Sequence, residues 1–248
     1  MSQLTALILA AGKGTRMESE LPKVLHTCCG KPMVSHVIDA ARGAGADRVV
    51  VIAGYKSEMV HEELKDTVLY AEQTEQLGTG HAVMCAADQL GDEGETLVLC
   101  GDTPLVTADT LKRLSEAHRS AGNGVTVLSA ILEEPKGYGR IIRDAEGSFL
   151  KITEDKDCTE EERLTKEINA GMYLFDTAML KDSLKKLTND NAQGEYYLTE
   201  VPELMAKDGL PVETYFDDDG DDLRGVNTPE DVEICRRVLE SRMAAAAR

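Results

Sequence analysis

The sequence predicts an α/β fold: a mostly parallel sheet flanked by helices, with a mixed or antiparallel extension beside it. Two observations lead to this prediction. Over the first 120 residues, apolar segments typical of buried strands alternate with helical patterns, as in successive βαβ units. From residue 125 onward, strand-like segments instead follow one another with little helix between them. With 248 residues, 42% of them hydrophobic, the chain can bury a sizeable core.

The first half predicts a parallel sheet, because a helix can cross over between successive strands. The opening segment LTALILA is an apolar run, and DRVVVIAG is rich in β-branched residues. Right-handed crossovers are expected for such units. The predicted strands cover 4–10, 47–54, 68–73 and 95–102, and the predicted helices cover 33–45, 80–90 and 107–122.

The second half departs from this alternation. Four strands are predicted in succession, at 124–132, 138–144, 147–155 and 167–176. Helices then return near 176–187 and 198–208, followed by a short strand PVETYF and a last helix from about Thr228. The run DDDGDD between them, at 217–222, is expected to be a solvated loop, because like charges in one block repel each other.

The charge balance excludes general polyanion binding. Twenty-seven basic residues against 45 acidic residues give a formal net charge of −18, which repels nucleic acid and anionic lipid. The first 32 residues are a local exception, with four basic and two acidic side chains, so small anions are the charged ligands we expect.

The apolar stretch at 4–11 is too short for a signal peptide or a membrane span, so no membrane partner is predicted.

The six cysteines form no CxxC pair and lack the regular spacing of a disulfide framework. We therefore interpret them as reduced thiols of a cytoplasmic protein. The stretch containing His26, Cys28 and Cys29 offers two convergent metal ligands at most, whereas structural zinc needs four. No zinc site is predicted there.

A glycine-rich, basic loop, AAGKGTRM, follows the first strand. Loops at this edge of an open α/β sheet expose backbone N–H groups that hold nucleotide phosphates. The spacing fits neither the dinucleotide fingerprint GxGxxG nor a P-loop. Ala10, Ala11 and Gly12 let a base and ribose approach the backbone, while Lys13 and Arg16 can reach phosphates. The alternative is a helix-initiating turn with solvated lysines.

A second glycine-rich turn, LGTGHA at 77–82, opens a predicted helix. Gln73 and Gln76 precede it, and an amide side chain beside closely approaching glycines can read a nucleobase edge, since it both donates and accepts. His81 in this turn is interpreted as a packing residue.

Two further polar residues are candidates for a metal site. Asp102 directly follows a hydrophobic strand, where a carboxylate can bind Mg²⁺, although a turn aspartate before Pro104 would look the same. Thr228 and Pro229 fit the start of a helix, which leaves Asn227 without a local role.

Taken together, these motifs resemble a known family. The stretch LAAGKGTRM, followed after four residues by Pro22 and Lys23, is similar to the signature of sugar-1-phosphate nucleotidylyltransferases. The motifs QLGTGHA, GDTPL, GYGRIIR, INAGMY, NDNAQGEYYLTE and GVN extend the resemblance from about residue 4 to 240. GYGR and NAQGEYYLT narrow it to the uridylyltransferases that act on N-acetylglucosamine 1-phosphate.

The resemblance implies a Rossmann-like nucleotide-diphospho-sugar transferase fold with a sugar-binding extension. It implies that UTP and N-acetylglucosamine 1-phosphate give UDP-N-acetylglucosamine and pyrophosphate, with Mg²⁺ held by Asp102 and Asn227. Lys23 and Arg16 would be catalytic and face the phosphates, and Gly139, Glu154 and Asn169 would bind the amino sugar. The remaining expected substrate contacts are Leu9, Ala10, Ala11, Gly12, Lys13, Gly14, Gln73, Gly78, Thr79, Cys100 and Gly101.

Two departures from the family pattern stand out. Cys100 occupies a position where the family often has tyrosine, which puts that substrate contact in doubt. The family enzyme usually also carries a left-handed β-helix acetyltransferase, and no hexapeptide repeats occur here. We expect a uridylyltransferase domain at 1–230 and the start of a connecting helix at 231–248, in either a piece of a longer chain or a natural single-function form. The oligomeric state is not predicted.

Two other functions are compatible with these motifs. One keeps the chemistry and changes the substrate, for example to glucose 1-phosphate or another nucleotide. The other is a regulatory nucleotide-binding module without catalysis. The joint presence of Lys23, Asp102 and Asn227 argues against the module, because a binder needs the glycine loops but not both metal ligands.

Overall fold

The computed structural model describes residues 3–216 and 223–246, so the acidic run predicted as a loop lies outside the described residues. The strands are β1 (Leu4–Ala10), β2 (Thr27–Cys28), β3 (Lys31–Pro32), β4 (Arg48–Ala53), β5 (Leu69–Glu72), β6 (Glu95–Cys100), β7 (Val125–Ile131), β8 (Arg140–Arg143), β9 (Phe149–Thr153), β10 (Glu167–Asp176) and β11 (Val212–Phe216). The α-helices are α1 (Met33–Gly43), α2 (Ser57–Leu64), α3 (Thr79–Cys85), α4 (Ala108–Ala121), α5 (Thr177–Leu184), α6 (Glu200–Lys207) and α7 (Pro229–Ala246).

One large sheet organises these elements in the order β11-β7-β10-β6-β1-β4-β5, with the β8–β9 hairpin attached to β10. Strands β6, β1, β4 and β5 are parallel neighbours, as the alternation in the first half predicts. The α/β fold class predicted from the sequence is confirmed. Helix α2, which the sequence analysis did not predict, is short and charged and buries Val60 and Leu64, four residues apart on one face.

Strand β10 makes the sheet mixed. It lies between β6 and β7 and runs antiparallel to both, while β11 is parallel to β7. The predicted antiparallel extension is therefore partly inside the main sheet. The pairing of β10 with β7 is interrupted between Asn169 and Tyr173, and this irregularity lies next to one of the cavities described below.

Both faces of the sheet are covered by apolar clusters, because successive side chains of a strand point to opposite faces. Ile8 packs with residues of α1, α2 and α4 on one face, and Leu7 packs with residues of α3, α5 and α6 on the other. A smaller cluster joins Met17 of the glycine-rich loop to Cys235 of α7. The C-terminal helix thus packs beside the loop that follows β1.

No helix in the described part of the chain is both long and apolar enough to cross a membrane.

Candidate active site

A cavity of about 310 Å³ lies at the carboxyl edge of the parallel strands. Its walls come from segments far apart in sequence: the loop after β1, the end of β5, the start of α3 and the end of β6. Ligands of open α/β sheets bind at this edge. The lining residues are Leu9, Ala10, Ala11, Gly12, Lys23, Val24, Gln73, Gln76, Gly78, Thr79, Ala82, Cys100, Asp102 and Glu195.

Gln73 is held in place on the wall of this cavity, which we name the nucleotide cavity after the ligand that the sequence motifs predict for it. Its side chain is only 3% exposed, and Nε2 donates to the Gly78 carbonyl at 2.9 Å and contacts Nδ1 of His81 at 3.1 Å. Gly78 has a φ of +107°, and a Cβ on it would lie 2.5 Å from the Tyr196 carbonyl oxygen. Only glycine fits there.

A polar cluster of four residues lies at the side of the cavity, and two of its members, Lys23 and Asp102, line the cavity. The Lys23 ammonium forms an ion pair with Asp102 and donates to Oδ1 of Asn227 at 3.2 Å. The same Oδ1 accepts from Nη2 of Arg16 at 2.8 Å. The fold therefore brings together four predicted site residues that are as many as 211 positions apart in the sequence.

Local geometry aims Lys23 at this cluster. Pro22 precedes the short 3₁₀ turn that begins with Lys23, and its ring restricts the approach of the chain. Gly14 has a φ of +61°, and a Cβ on it would lie 2.5 Å from Cβ of Lys23. The glycine-rich loop and the lysine are thus in direct contact, and a side chain at position 14 would push Lys23 aside.

The oxygens of Asp102 and Asn227 both face one cationic centre, the Lys23 ammonium. A carboxylate and an amide oxygen are hard ligands of the kind that Mg²⁺ prefers, so these residues fit the predicted metal. Within residues 3–216 and 223–246, no group of three or more His, Cys, Asp and Glu side chains could hold a metal ion. A magnesium ion here would take its other ligands from phosphates and water.

A second cavity, of about 200 Å³, adjoins the first and shares Leu9, Thr79, Cys100 and Asp102 with it. We name it the sugar cavity, after the ligand that the resemblance implies for its residues. Gly139, Glu154 and Asn169, which the resemblance assigns to the amino sugar, line it together. A Cβ on Gly139 would lie 3.7 Å from Oε2 of Glu154 and 3.7 Å from Cβ of Asn169, so the three residues converge on one point.

The polar groups of the sugar cavity are firmly held. Asn169 donates to the Tyr173 hydroxyl at 2.6 Å and accepts from the Gly171 N–H at 2.9 Å. Glu154 accepts from the Thr199 hydroxyl at 2.9 Å, and burial raises the pKa of its carboxyl above the usual value.

Cys100 lies where the two cavities meet. Its thiol donates to the Gly171 carbonyl, with sulfur and oxygen 3.3 Å apart. Burial, followed by the neighbouring Asp102 charge, raises the pKa of this thiol to about 12. Cys100 is therefore a neutral packing group at neutral pH and no nucleophile.

Four predicted site residues line neither cavity: Lys13, Gly14, Arg16 and Gly101. The Lys13 ammonium lies 5.6 Å from the centre of the Tyr55 ring. His81 contacts Gln73 and Cys85, in agreement with a packing role.

Several lining residues were not singled out from the sequence. Glu195 and Thr199 belong to the motif NDNAQGEYYLTE, whose individual residues gave no separate signal. Glu195 lines the nucleotide cavity and Thr199 lines the sugar cavity, so one motif reaches both. Tyr138 lies within the motif GYGR and Tyr173 within the motif INAGMY, and both line the sugar cavity.

Comparison with known proteins adds to this geometry. The family model described as nucleotidyl transferase matches residues 5–223. The bifunctional protein GlmU of Caldanaerobacter subterraneus subsp. tengcongensis is 51% identical over 243 residues, which are 98% of this chain and 53% of that protein. GlmU of Thermoanaerobacter pseudethanolicus is 56% identical over 205 residues, 83% of this chain and 45% of that protein. The chain spans about half the length of the curated relatives it matches.

A solved structure shares the fold. A protein from Bacillus anthracis, proposed to be a glucose-1-phosphate thymidylyltransferase, superposes with a TM-score of 0.75 at 19% identity. The match covers 95% of this chain and 94% of that chain.

Proposed function

Because this chain belongs to the nucleotidyl transferase family, as its motifs predicted, we propose that it joins UTP to N-acetylglucosamine 1-phosphate. The products are UDP-N-acetylglucosamine and pyrophosphate. One observation supports this most directly: the cluster of Lys23, Asp102, Asn227 and Arg16 lies beside the seam between the nucleotide cavity and the sugar cavity. The bond between the two substrates has to form at such a seam.

The reaction is a direct displacement at phosphorus. An oxygen of the sugar phosphate attacks the α-phosphorus of UTP, the new P–O bond forms, and the bond to the β-phosphate oxygen breaks with pyrophosphate as the leaving group. Both reactants are anions, so the site has to offset their repulsion and align the attack opposite the leaving group. No covalent intermediate with the protein is required.

The cationic side chains supply much of this charge compensation. Lys23 stabilises the charge that gathers on the α-phosphate in the transition state, and Arg16 faces the departing pyrophosphate as a bidentate donor. A bound Mg²⁺, held by Asp102 and Asn227, supplies Lewis-acid polarisation of phosphate oxygens. Lys13, 5.6 Å from the Tyr55 ring centre, has to turn from that ring to reach pyrophosphate.

Substrate selection is divided between the cavities. On the nucleotide side, Gln73 reads the uracil edge, while the small residues after β1 and Gly78 with Thr79 let the base and ribose approach the backbone. On the sugar side, Glu154 accepts from hydroxyls and Asn169 bonds the N-acetyl group, for which Ala170 and Gly171 leave space.

We also propose domain bounds and a cytoplasmic location for this protein. We assign residues 1–230 to the transferase domain and 231–248 to the start of a connecting helix, noting that α7 already begins at Pro229. All six cysteines are free thiols, which is typical of the reducing cytoplasm.

The decisive experiment measures pyrophosphate release after mixing UTP, Mg²⁺ and N-acetylglucosamine 1-phosphate with the protein. We expect release with this sugar phosphate to exceed that with glucose 1-phosphate, and release with UTP to exceed that with other nucleoside triphosphates. Faster release with another pair would reassign the substrates. UTP binding without any pyrophosphate release would instead identify a regulatory module.

A further inference from the structure

Arg140 carries a buried charge beside the sugar cavity that the proposed reaction does not use. Its side chain is 3% exposed. One end of the guanidinium donates to the Tyr138 carbonyl, and Nη2 donates to Oδ1 of Asp155 at 3.0 Å. Nε is buried and has no hydrogen-bond partner among the described residues. A buried charge is costly to desolvate, so its retention at this point requires an explanation.

The strand register shows what Arg140 joins. Arg140 of β8 pairs with Thr153 of β9 and with Ile168 of β10. Each of these three residues has a sugar-cavity residue as its chain neighbour: Gly139, Glu154 and Asn169 respectively. In the sheet, Arg140 therefore lies in the row of paired residues next to the row that holds Gly139, Glu154 and Asn169.

The side chain of Arg140 contacts a residue just before its own strand and a residue just after β9, and β10 is tied to them through a backbone hydrogen bond. Tyr138 fixes the start of β8, and Asp155 fixes the turn that follows Glu154, where the Asp157 N–H donates to the Glu154 carbonyl at 2.9 Å. The Asn169 N–H donates to the Gly139 carbonyl at 2.9 Å. A shift of β8 relative to this turn would move Gly139 away from Glu154 and would carry Asn169 with it.

From this arrangement we propose that Arg140 is a positioning residue for the sugar. Its planar fork spans the Tyr138 carbonyl and the Asp155 carboxylate, and so holds Gly139, Glu154 and Asn169 at the separation that the amino sugar needs. This proposal rests on the proposed function. Arg140 itself does not line the sugar cavity, so it acts through its neighbours and touches no reacting atom.

Arg143 offers a matched control on the same strand. It also forms a carboxylate ion pair, with Glu167 at 2.7 Å, but it lines neither cavity and donates to Thr214 of β11 instead. Substituting lysine at either position keeps the charge and removes the fork.

The experiment compares the affinity for UDP with that for UDP-N-acetylglucosamine, by calorimetry, in the wild type, Arg140→Lys and Arg143→Lys. The ratio of the two dissociation constants isolates the sugar contacts. For Arg140→Lys we expect the ratio of the dissociation constant for UDP to that for UDP-N-acetylglucosamine to fall about tenfold. The affinity for UDP should stay within about twofold of the wild type. In the forward reaction, KM for N-acetylglucosamine 1-phosphate should rise while KM for UTP stays constant. Arg143→Lys should change none of these values.

Asp155→Ala is the second variant, because it removes the carboxylate that accepts from Nη2 of Arg140, together with the longer ion pair between Asp155 and Arg163 at 3.7 Å. It should reproduce the loss seen with Arg140→Lys. Thermal unfolding of each variant verifies that it is folded at the assay temperature. If Arg140→Lys and Asp155→Ala keep the full preference for the sugar nucleotide, or lose UDP affinity equally, the positioning role is wrong. If the wild type itself shows no preference for the sugar nucleotide, the proposed function is what fails.

Discussion

At the scale of single residues, the candidate site depends on the environment of a few charged groups. Lys23 is the central example, since its ammonium faces Asp102 and Asn227. In the proposed reaction, the same ammonium exchanges these partners for phosphate oxygens of the nucleotide. A lysine is suited to this exchange, because its charge is a compact point on a flexible stem.

Replacing Lys23 by alanine tests this role. We expect turnover to fall by a factor on the order of 10² or more, with a modest loss of UTP affinity, because the ammonium acts mainly on charge that develops in the transition state. Steady-state pyrophosphate release and UTP titration measure the two effects. Lys185→Ala, at an exposed lysine paired with Asp182, is the control. Unchanged turnover in Lys23→Ala would reject the role.

Glu154 gives the site a pH dependence. Burial raises its pKa above the usual value, so its carboxylate takes up a proton at a higher pH than an exposed glutamate does. In the proposed function the ionised form accepts from sugar hydroxyls, and KM for the sugar phosphate should therefore rise as pH falls through this raised pKa. Comparing the KM profile with that of Glu154→Gln separates this effect from titration of the substrates' own phosphates. Identical profiles would contradict it.

The raised pKa of Glu154 also affects stability: the ionised carboxylate that favours sugar binding in the proposed function makes the folded protein less stable. Because the pKa of Glu154 is higher in the folded than in the unfolded protein, its ionised form opposes folding above the ordinary pKa, and this penalty disappears as pH falls. Glu154→Gln should therefore unfold at a higher temperature than the wild type at pH 7.5. At a pH below the ordinary glutamate pKa, the difference should shrink.

At the scale of elements, the start of α7 positions Asn227. Asp231 accepts from the Asn227 and Thr228 N–H groups, both at 3.0 Å, and its own N–H donates to the Thr228 hydroxyl at 3.3 Å. This reciprocal capping arrangement fixes the backbone on both sides of the helix start. Helix capping is thus the local structure that presents the Asn227 side chain to Lys23 and Arg16.

Asp231→Ala removes this cap. We expect the free energy of unfolding to fall by about 1 kcal/mol, as for other lost N-terminal caps. The Mg²⁺ concentration needed for half-maximal activity should rise, because the Asn227 oxygen is less well fixed. Denaturant unfolding and a magnesium titration measure these effects. Glu230→Ala, at an exposed acidic residue in the same first turn, should change neither. If Asp231→Ala needs the same Mg²⁺ concentration for half-maximal activity as the wild type, the cap does not position Asn227 for the metal.

At the scale of the whole molecule, stability and function are divided between the core and one edge of the sheet. The clusters on the two faces contain side chains that are almost fully buried, among them Leu114 of α4 and Phe175 of β10. The cavities instead lie where strands end and loops begin. Core substitutions away from this edge should therefore act on stability far more than on catalysis.

Leu114→Ala tests this division. Leu114 is fully buried against the sheet, so its truncation should lower the free energy of unfolding by about 2–5 kcal/mol. The KM values for UTP and for N-acetylglucosamine 1-phosphate should stay close to those of the wild type at a temperature where the variant is folded. Lys112→Ala, on the exposed face of the same helix, should change stability by no more than about 0.5 kcal/mol. A large change in either KM for Leu114→Ala would show that core and site are coupled.

Much of the fold could be predicted from the sequence, because the patterns that define strands and helices are local. The parallel half follows from apolar runs such as LTALILA, which become β1 at its predicted bounds. Helix α2 was missed because its eight residues form a short and mainly polar pattern. The position of β10 inside the main sheet could not be predicted, since strand order depends on contacts between distant segments.

For the site, the family and the kinds of residue can be predicted from short patterns along the chain: the glycine-rich loop, Lys23, Asp102, Asn227 and the sugar motifs. The folded chain was needed to show that Asn227 meets Arg16 and Lys23, that Lys13 lies beside Tyr55, and that Arg140 pairs with residues of β9 and β10. This difference arises because a motif records which chemical groups are available along the chain. Which groups come within bonding distance depends on strand register and helix packing over more than 200 residues.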